Sequence, residues 1–314
     1  METCLTKKSP SGAKAPQAFH YCSLFQCCQR KWYFRYLKGW QPKIIGKPLV
    51  LGSAFHEGKA AWYRGKSKKV CQEVALEVVH GSKSELDPED YKDIIFRVPI
   101  LLDVWIEQFG KLDRREYNVL AVEKELTVPI LDTGFYMTLR PDTILQSKRE
   151  KSMVIIMETK TSGFSHRITG EAVYYGDQAT TYAWGVRKAM GLEPFAVQPD
   201  IAYWNKITKD VGNIKMIRTE MVYRDEATCK RFELGIAQVF SEMSQKATAY
   251  KRGVNPWLLF PRNSYYCLSF STPCEFASIC YQDCEAIKRT PRGFKKVGGV
   301  KPLGGYVEDN IAVD

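Results

Sequence analysis

Apolar residues recur at helical spacing from about Ser23, where Leu24, Phe25, Cys28, Trp32 and Tyr36 share one side of a single expected helix. Further helices are expected over 53–64, closed by Gly65, and over 68–79, with Gly81 beyond. Asp87-Pro88-Glu89-Asp90 offers an N-cap, a proline at the first helical position and an acidic first turn. A long amphipathic helix should open there and run to about Gln108, kinked at Pro99. The texture changes after Arg115. Segments 119–128, 134–146 and 153–159 are apolar and β-branched and predict strands, with the polar stretch 146–152 as a hairpin loop. Met153-Val154-Ile155-Ile156-Met157 lacks alternation, as a strand buried on both faces should. A helix over 172–190, strands near 199–207 and 214–223, and a helix over 225–251 complete the series. In the last of these Phe232, Ile236, Val239, Phe240 and Met243 form one stripe. Helices first, then strands, a helix and more strands describe an α/β fold with a helical N-terminal elaboration. The expected division is a flexible leader at 1–17, a domain at 18–287 and a basic extended tail at 288–314. The domain would comprise a helical part (18–115), a sheet core (116–224), and a helix with a cysteine-rich segment (225–287).

Composition narrows the classes. With 12% aromatic residues and long periodic stretches the chain can bury a core, which excludes disorder throughout. No apolar run approaches the ~20 residues of a membrane span, and the first residues lack the apolar region of a secretory signal. A cytoplasmic or equivalent reducing compartment is expected. The net charge of +11 points to a polyanion, with nucleic acid first among the choices. Ten cysteines in a reducing compartment suggest metal binding before disulfides.

Two places carry candidate chemistry. Arg140-Pro141-Asp142 ends one expected strand and Glu158-Thr159-Lys160 ends the next. Residues i and i+2 of a strand share a face, so Glu158 and Lys160 project together, and a hairpin would bring Asp142 alongside. Two carboxylates suit Mg²⁺ or Mn²⁺, and a neighbouring lysine can orient water and offset phosphate charge. The apolar run before Glu158 mounts the group on a rigid element. Glu123 and Glu125 precede these strands and read as surface residues or as outer contacts of the site. The second place is Cys267, Cys274, Cys280 and Cys284, close together in a loop-rich segment, with Cys22, Cys27 and Cys28 near the other end. A metal could order such a segment. Cys4, Cys71 and Cys229 read as bystanders. Arg30, Lys31, Trp32, Tyr33, Arg35 and Tyr36 interleave cations with aromatic rings, a pattern suited to gripping single strands and equally to a helix that buries Trp32 and Tyr36 and leaves its cations solvated; both are expected in part. Lys288, Arg289, Arg292, Lys295, Lys296 and Lys301 could add phosphate affinity.

Pro141-Asp142, fifteen residues, then Glu158-Thr159-Lys160 resembles the PD-(D/E)XK nuclease signature. Gly52-Ser53-Ala54-Phe55-His56 is similar to the GxxxH element of its RecB-type branch, and Gln178-Ala179-Thr180-Thr181-Tyr182 to the QxxxY element. Cys28-Gln29-Arg30-Lys31-Trp32-Tyr33-Phe34 resembles the cysteine-bearing basic helix near the start of such domains. The resemblance implies a restriction-endonuclease-like core, a central mixed sheet flanked by helices. It implies His56, Asp142, Glu158 and the Thr159 carbonyl as ligands of Mg²⁺ or Mn²⁺, with Lys160 positioning the water and Gln178 and Tyr182 bracing the site. Some members hold a 4Fe–4S cluster on one N-terminal and three C-terminal cysteines, for which Cys28, Cys267, Cys274 and Cys280 are the set here. Position 271 is serine where the usual spacing has cysteine, so Cys284 stands as an alternative to Cys267, and Zn²⁺ as an alternative to iron–sulfur. The implied function is a DNA nuclease, a single-strand-preferring exonuclease of recombination, repair or replication, of a cell or a phage. A helicase or recombination protein is an implied partner, although no GxxxxGK[ST] occurs in the chain. The alternative is a non-catalytic DNA-binding or assembly protein that keeps the fold.

Overall fold

A computed structural model describes residues 17–163, 166–204, 214–269, 272–281 and 289–297. The chain forms two compact units, one from 44–126 and 139–230, the other from stretches within 1–43, 127–138 and 231–314.

The first unit opens with three helices, α1 (Lys47–Tyr63), α2 (Lys68–Gly81) and α3 (Pro88–Trp105). Pro48 sits in the first turn of α1, and Gly65, at φ +84°, follows its end. Asp87 caps α3 as expected, its side chain accepting from the Glu89 N–H at 2.9 Å. Beyond α3 the chain makes a π-helical turn, Ile106–Gly110, and a short helix, α4 (Lys111–Glu116). Five strands follow: β1 (Tyr117–Val122), β2 (Thr143–Ser147), β3 (Val154–Ser162), β4 (Pro194–Trp204) and β5 (Ile214–Arg218). They lie side by side in chain order, antiparallel except for the β3/β4 pair. The parallel pair needs a crossover, supplied by α5 (His166–Tyr175) and α6 (Asp177–Met190). The result is the expected mixed central sheet flanked by helices.

Val154, Ile155, Ile156 and Met157 are all buried, as their lack of alternation predicts. Ile155 and Met157 join Leu145, Ala202, Trp204 and Met216 in one core with Leu51, Phe55, Leu101, Leu102 and Trp105 of α1 and α3. Side chains of this size each contribute about 1.5–3 kcal/mol when taken from water. At Gly58 an added Cβ would come within 2.5 Å of Leu102, so the α1/α3 approach requires glycine.

Several expected elements are divided in the structure. The helix expected over 172–190 breaks at Gly176, whose missing Cβ would lie 2.5 Å from the Ala172 carbonyl oxygen. The strand expected over 119–128 is split into Tyr117–Val122 and Leu126–Pro129, and that over 134–146 into Tyr136–Leu139 and Thr143–Ser147. Pro141 lies in the second gap and Glu123, at φ +49°, in the first. The strand placed near 199–207 begins earlier, at Pro194, and its expected end at 205–207 lies outside the described residues.

The second unit contains the helix Phe19–Cys27. It is interrupted at Cys28, whose φ of −159° is extended, and resumes as Gln29–Trp32 and a π-helical turn, Tyr33–Leu37. One continuous helix was expected there. Ring stacking holds this unit together: Tyr33 on Phe260, Phe34 on Trp40, and Phe276 on Phe294. Residues 289–297 differ from the extended tail expected of them. Phe294–Lys296 pairs antiparallel with Trp40–Pro42, and Phe294 is buried. Residues 1–16 and 298–314, with most of the expected leader and tail, lie outside the described residues.

Candidate active site

The β2/β3 hairpin pairs Thr143 with Met157, so Asp142, one residue before β2, stands opposite Glu158. Asp142 thus precedes a strand instead of ending one, yet it meets the partner that the hairpin predicts. Its Oδ2 accepts the Thr159 N–H at 2.6 Å. Glu158 and Lys160 share the other face of β3 from Thr159 and form an ion pair at 2.5 Å. Lys160 Nζ also donates to Gln178 Oε1 at 2.8 Å, and Gln178 Nε2 donates to the Tyr182 hydroxyl at 3.1 Å. Gln178 and Tyr182, one turn apart on α6, therefore brace the lysine.

Helix α1 explains the four-residue step from Gly52 to His56. A Cβ at position 52 would sit 3.2 Å from Thr161 Oγ1, so glycine allows α1 to approach β3 there. One turn on, His56 reaches Thr159, two residues back along β3, with Nε2 3.1 Å from the Thr159 carbonyl oxygen. Its Nδ1 faces Asp142 Oδ2 at 3.4 Å and Glu123 Oε1 at 3.8 Å. His56, Glu123 and Asp142 present ligand atoms within 4.8 Å of one another, the one such group of three or more among the described residues.

Glu123 belongs to the centre of this site, whereas its neighbour Glu125 is exposed. Its N–H donates to the Asp142 carbonyl at 2.9 Å, and its Oε2 lies 3.0 Å from Arg140 Nε. An acidic residue directly after an apolar strand is the signal it leaves in the sequence. Its left-handed backbone, which turns the carboxylate inward, leaves none.

The electrostatics follow from crowding three carboxylates and two cations. Burial alone would lower the His56 pKa, but Asp142, Glu123 and Glu158 overcome it and lift it to about 10. Burial works against ionised Asp142, yet His56 and the Thr159 N–H hold its carboxyl below the usual range. Glu158 goes the other way: burial raises it to about 7, with Lys160 opposing and Asp142 adding to the rise. Burial would lower Lys160, but Glu158 outweighs it and the ammonium is kept. Burial also lifts the Tyr182 phenol well above its ordinary value. Glu158 Oε2 is buried with no hydrogen-bond partner among the described residues, an orphaned acceptor. Carboxylate oxygens with one imidazole are a mixed donor set suited to a divalent cation, so these residues fit the divalent metal of the fold.

A family profile for the PD-(D/E)XK nuclease superfamily matches residues 21–281. The chain belongs to that superfamily. No curated protein matches it. Among solved structures, a candidate exonuclease from Eubacterium rectale shares 13% identity over 75% of this chain and 85% of its own, with a TM-score of 0.41. That likeness is too distant to bear on substrate.

The rest of this PD-(D/E)XK nuclease holds the other residues singled out by sequence. Cys28, Cys267, Cys274 and Cys280 all belong to the second unit. Burial raises the Cys280 thiol, Arg30 opposes, and the charges of Cys28, Cys267 and Cys274 add to the rise. Cys274 N–H donates to the Cys267 carbonyl at 2.8 Å, and Asn263 N–H to Cys28 Sγ at 3.5 Å. Cys284 and Cys4 lie outside the described residues, and Cys22, Cys71 and Cys229 are buried.

The basic and aromatic residues are arranged differently from the stacking surface expected. Trp32 is fully buried, edge-on to Phe25, and so is withheld from any base. Arg30 is buried too, its guanidinium 3.3 Å from the Trp257 ring centroid and bonded to the Phe260 carbonyl at 2.7 Å. Lys31 and Arg35, one turn apart, are half-buried and both pair with Glu275 at 3.3 Å. Helical geometry sorts residues that alternate in sequence onto inner and outer faces, and the rings went inside. Among the described residues no helix is long and apolar enough to cross a membrane.

Proposed function

We propose that this chain is a metal-dependent deoxyribonuclease, hydrolysing phosphodiester bonds of DNA as a single-strand-preferring exonuclease in recombination, repair or replication, with a nuclease domain spanning 18–287. The observation that carries the reading is the convergence of His56, Glu123 and Asp142 within 4.8 Å, beside the buried Glu158 and its Lys160. His56, Glu123, Asp142 and Glu158, with the Thr159 carbonyl, would hold Mg²⁺ or Mn²⁺. When bound, such a cation supplies charge for a phosphoryl oxygen and acidity for a water. Lys160, kept as an ammonium by Glu158, donates hydrogen bonds and orients water rather than accepting its proton. Gln178 fixes where that ammonium points, and Tyr182 fixes Gln178. The +11 charge of the chain suits a nucleic-acid substrate.

A second cofactor is part of the reading, in the second unit. Four thiols are a soft donor set for a 4Fe–4S cluster or, alternatively, Zn²⁺; Cys28, Cys267 and Cys274 act electrostatically on Cys280, although no three of the sulfurs lie within 4.8 Å of one another. Cys28, Cys267, Cys274 and Cys280 would hold it. Such a group would tie an early stretch of chain to a late one in place of a larger apolar core. The reading extends to a helicase or recombination protein as partner and to a setting in a cell or phage cytoplasm.

The test is digestion of end-labelled single-stranded and duplex DNA with Mg²⁺, Mn²⁺ or EDTA, alongside folded Asp142→Ala and Lys160→Ala proteins. Loss of label with metal in the parent alone is the expected result, and the product ladder separates exonuclease from endonuclease action. A parent that binds DNA and cleaves neither DNA nor RNA would replace this reading with a non-catalytic binding protein.

A further inference from the structure

One face of α1 carries residues 52, 56, 59 and 63, the i, i+4, i+7, i+11 spacing of a helical stripe. In most helices packed on a sheet such a stripe is apolar. Here it is Gly52, His56, Lys59 and Tyr63. Gly52 and His56 meet β3 as described. Lys59, only 3% exposed, donates to Thr159 Oγ1 at 2.7 Å and to Asp200 Oδ2 at 2.8 Å. Asp200 is the β4 residue paired with Thr159 across the parallel ladder, which places both on the face that α1 covers.

Burying an ammonium is expensive unless it is paired and its hydrogen bonds are filled. The structure meets that cost with a network. Asp200 Oδ2 also accepts Trp105 Nε1 at 2.8 Å and lies 3.5 Å from Arg218. Arg218 forms a two-pronged pair with Asp113, which accepts the Tyr63 hydroxyl at 2.7 Å. Elements α1, α3, α4, β4 and β5 each contribute a member. Apolar residues in place of the whole network would pack there about as stably, so stability alone gives little reason for building it around a buried lysine, although removing Lys59 alone leaves Asp200 short of a partner.

Thr159 supplies the reason. Its N–H holds Asp142, its carbonyl meets His56, and its hydroxyl is held by Lys59. All three polar groups of one residue are committed, two of them to groups of the candidate metal site. Holding the hydroxyl at 2.7 Å fixes χ1 and ties the Cα of Thr159 to α1 and, through Asp200, to β4, which limits how far the peptide groups on either side can shift. We infer that Lys59, anchored by Asp200, is a positioning residue that sets the Thr159 backbone, and through it Asp142 and His56, for cation binding. The inference rests on the metal-site reading above and adds to it a residue that no ligand or water contact would reveal.

The test uses the full chain carrying Lys59→Met, Thr159→Val, both together, or Thr159→Ser, with two readouts. The first is amide hydrogen exchange over 157–161 in EDTA, which needs no cation. The second is the Mn²⁺ dissociation constant from calorimetry. Lys59→Met and Thr159→Val are each expected to speed exchange at the Thr159 amide about tenfold and to weaken Mn²⁺ by about 10-fold or more, the scale of losses from outer contacts of metal sites. The double variant should be no worse than either single one, because both cut the same link. Thr159→Ser, which keeps the hydroxyl, should recover most of what Thr159→Val loses. Exchange at the Thr159 amide that stays at the parent rate in folded Thr159→Val would overturn the inference, as would losses that multiply in the double variant. Should Lys59→Met not fold, the Val and Ser pair decides alone. A parent that binds no Mn²⁺ would sink the metal-site reading, and the exchange readout would still decide the link from Lys59 to Thr159.

Discussion

Glu158 is placed where its own charge is a burden until a cation arrives, and replacing it with glutamine measures that burden. Burial carries its carboxyl from 4.5 to about 7, with the nearby Asp142 contributing and Lys160 resisting. A carboxyl raised on folding binds its proton more tightly in the native state. Its contribution is therefore fully present below about pH 4.5 and is lost as the pH rises to about 7. The loss amounts to about 3 kcal/mol above pH 7. Glutamine has nearly the same shape and never ionises. In EDTA the Glu158→Gln protein should match the parent near pH 4.5 and exceed it by about 3 kcal/mol at pH 8, a rise in Tm of roughly 5–10 °C. Urea unfolding at both pH values checks the energies, and thermal melts check the order. Adding Mn²⁺ should reverse the ranking at pH 8, since only the parent gains the full binding free energy. A variant less stable than the parent at pH 8 in EDTA, or one with the parent's pH dependence, would show that Glu158 is not under this electrostatic load.

Three further outcomes are expected. Glu123→Gly should raise Tm, because glycine adopts φ +49° without the ~1 kcal/mol that a side chain costs there, while weakening Mn²⁺ binding in the same calorimetric titration. A fall in Tm with unchanged affinity would make Glu123 a mere partner of Arg140. Arg30→Met should cost about 2–3 kcal/mol, since it strips a charged donor from the Phe260 carbonyl and a cation from Trp257, and denaturant melts give the figure. Cys280→Ser should abolish bound iron or zinc by elemental analysis of the purified protein while leaving the Mn²⁺ titration of the other unit in place.

What could be read from sequence follows the range of the forces involved. The apolar run at 153–157 announced β3, and the hairpin geometry brought Asp142 to Glu158, because both depend on neighbours within about fifteen residues. The Asp87 cap is equally local. The breaks were less visible. Cys28 stays apolar and periodic in sequence while its backbone is extended, and Gly176 divides a helix whose flanking residues suit helix on both sides. Glu123 reads from sequence only as a surface residue or an outer contact, because its inward turn depends on a left-handed backbone that the residue type does not encode. Of the two expectations for the basic helix, the structure favours buried rings at Trp32 and Tyr36, for a related reason. Alternation along the chain does not say which side of a helix will meet Phe25 and Phe260.

The ring stacks of the second unit join residues made early in synthesis to residues made late. Tyr33 meets Phe260, and Phe34 meets Phe276, only after roughly 230 further residues have been added, about 10–45 s at ordinary elongation rates. Through that interval the stretch around Trp32 has its cation and its rings but not the surfaces that cover them. The first unit, whose last strand among the described residues ends at Arg218, has its described strands well before then. Production of this protein in a cell should therefore depend on what shields a short aromatic segment near the start of a nascent chain, and a chain cut short before Phe260 would leave that segment permanently uncovered.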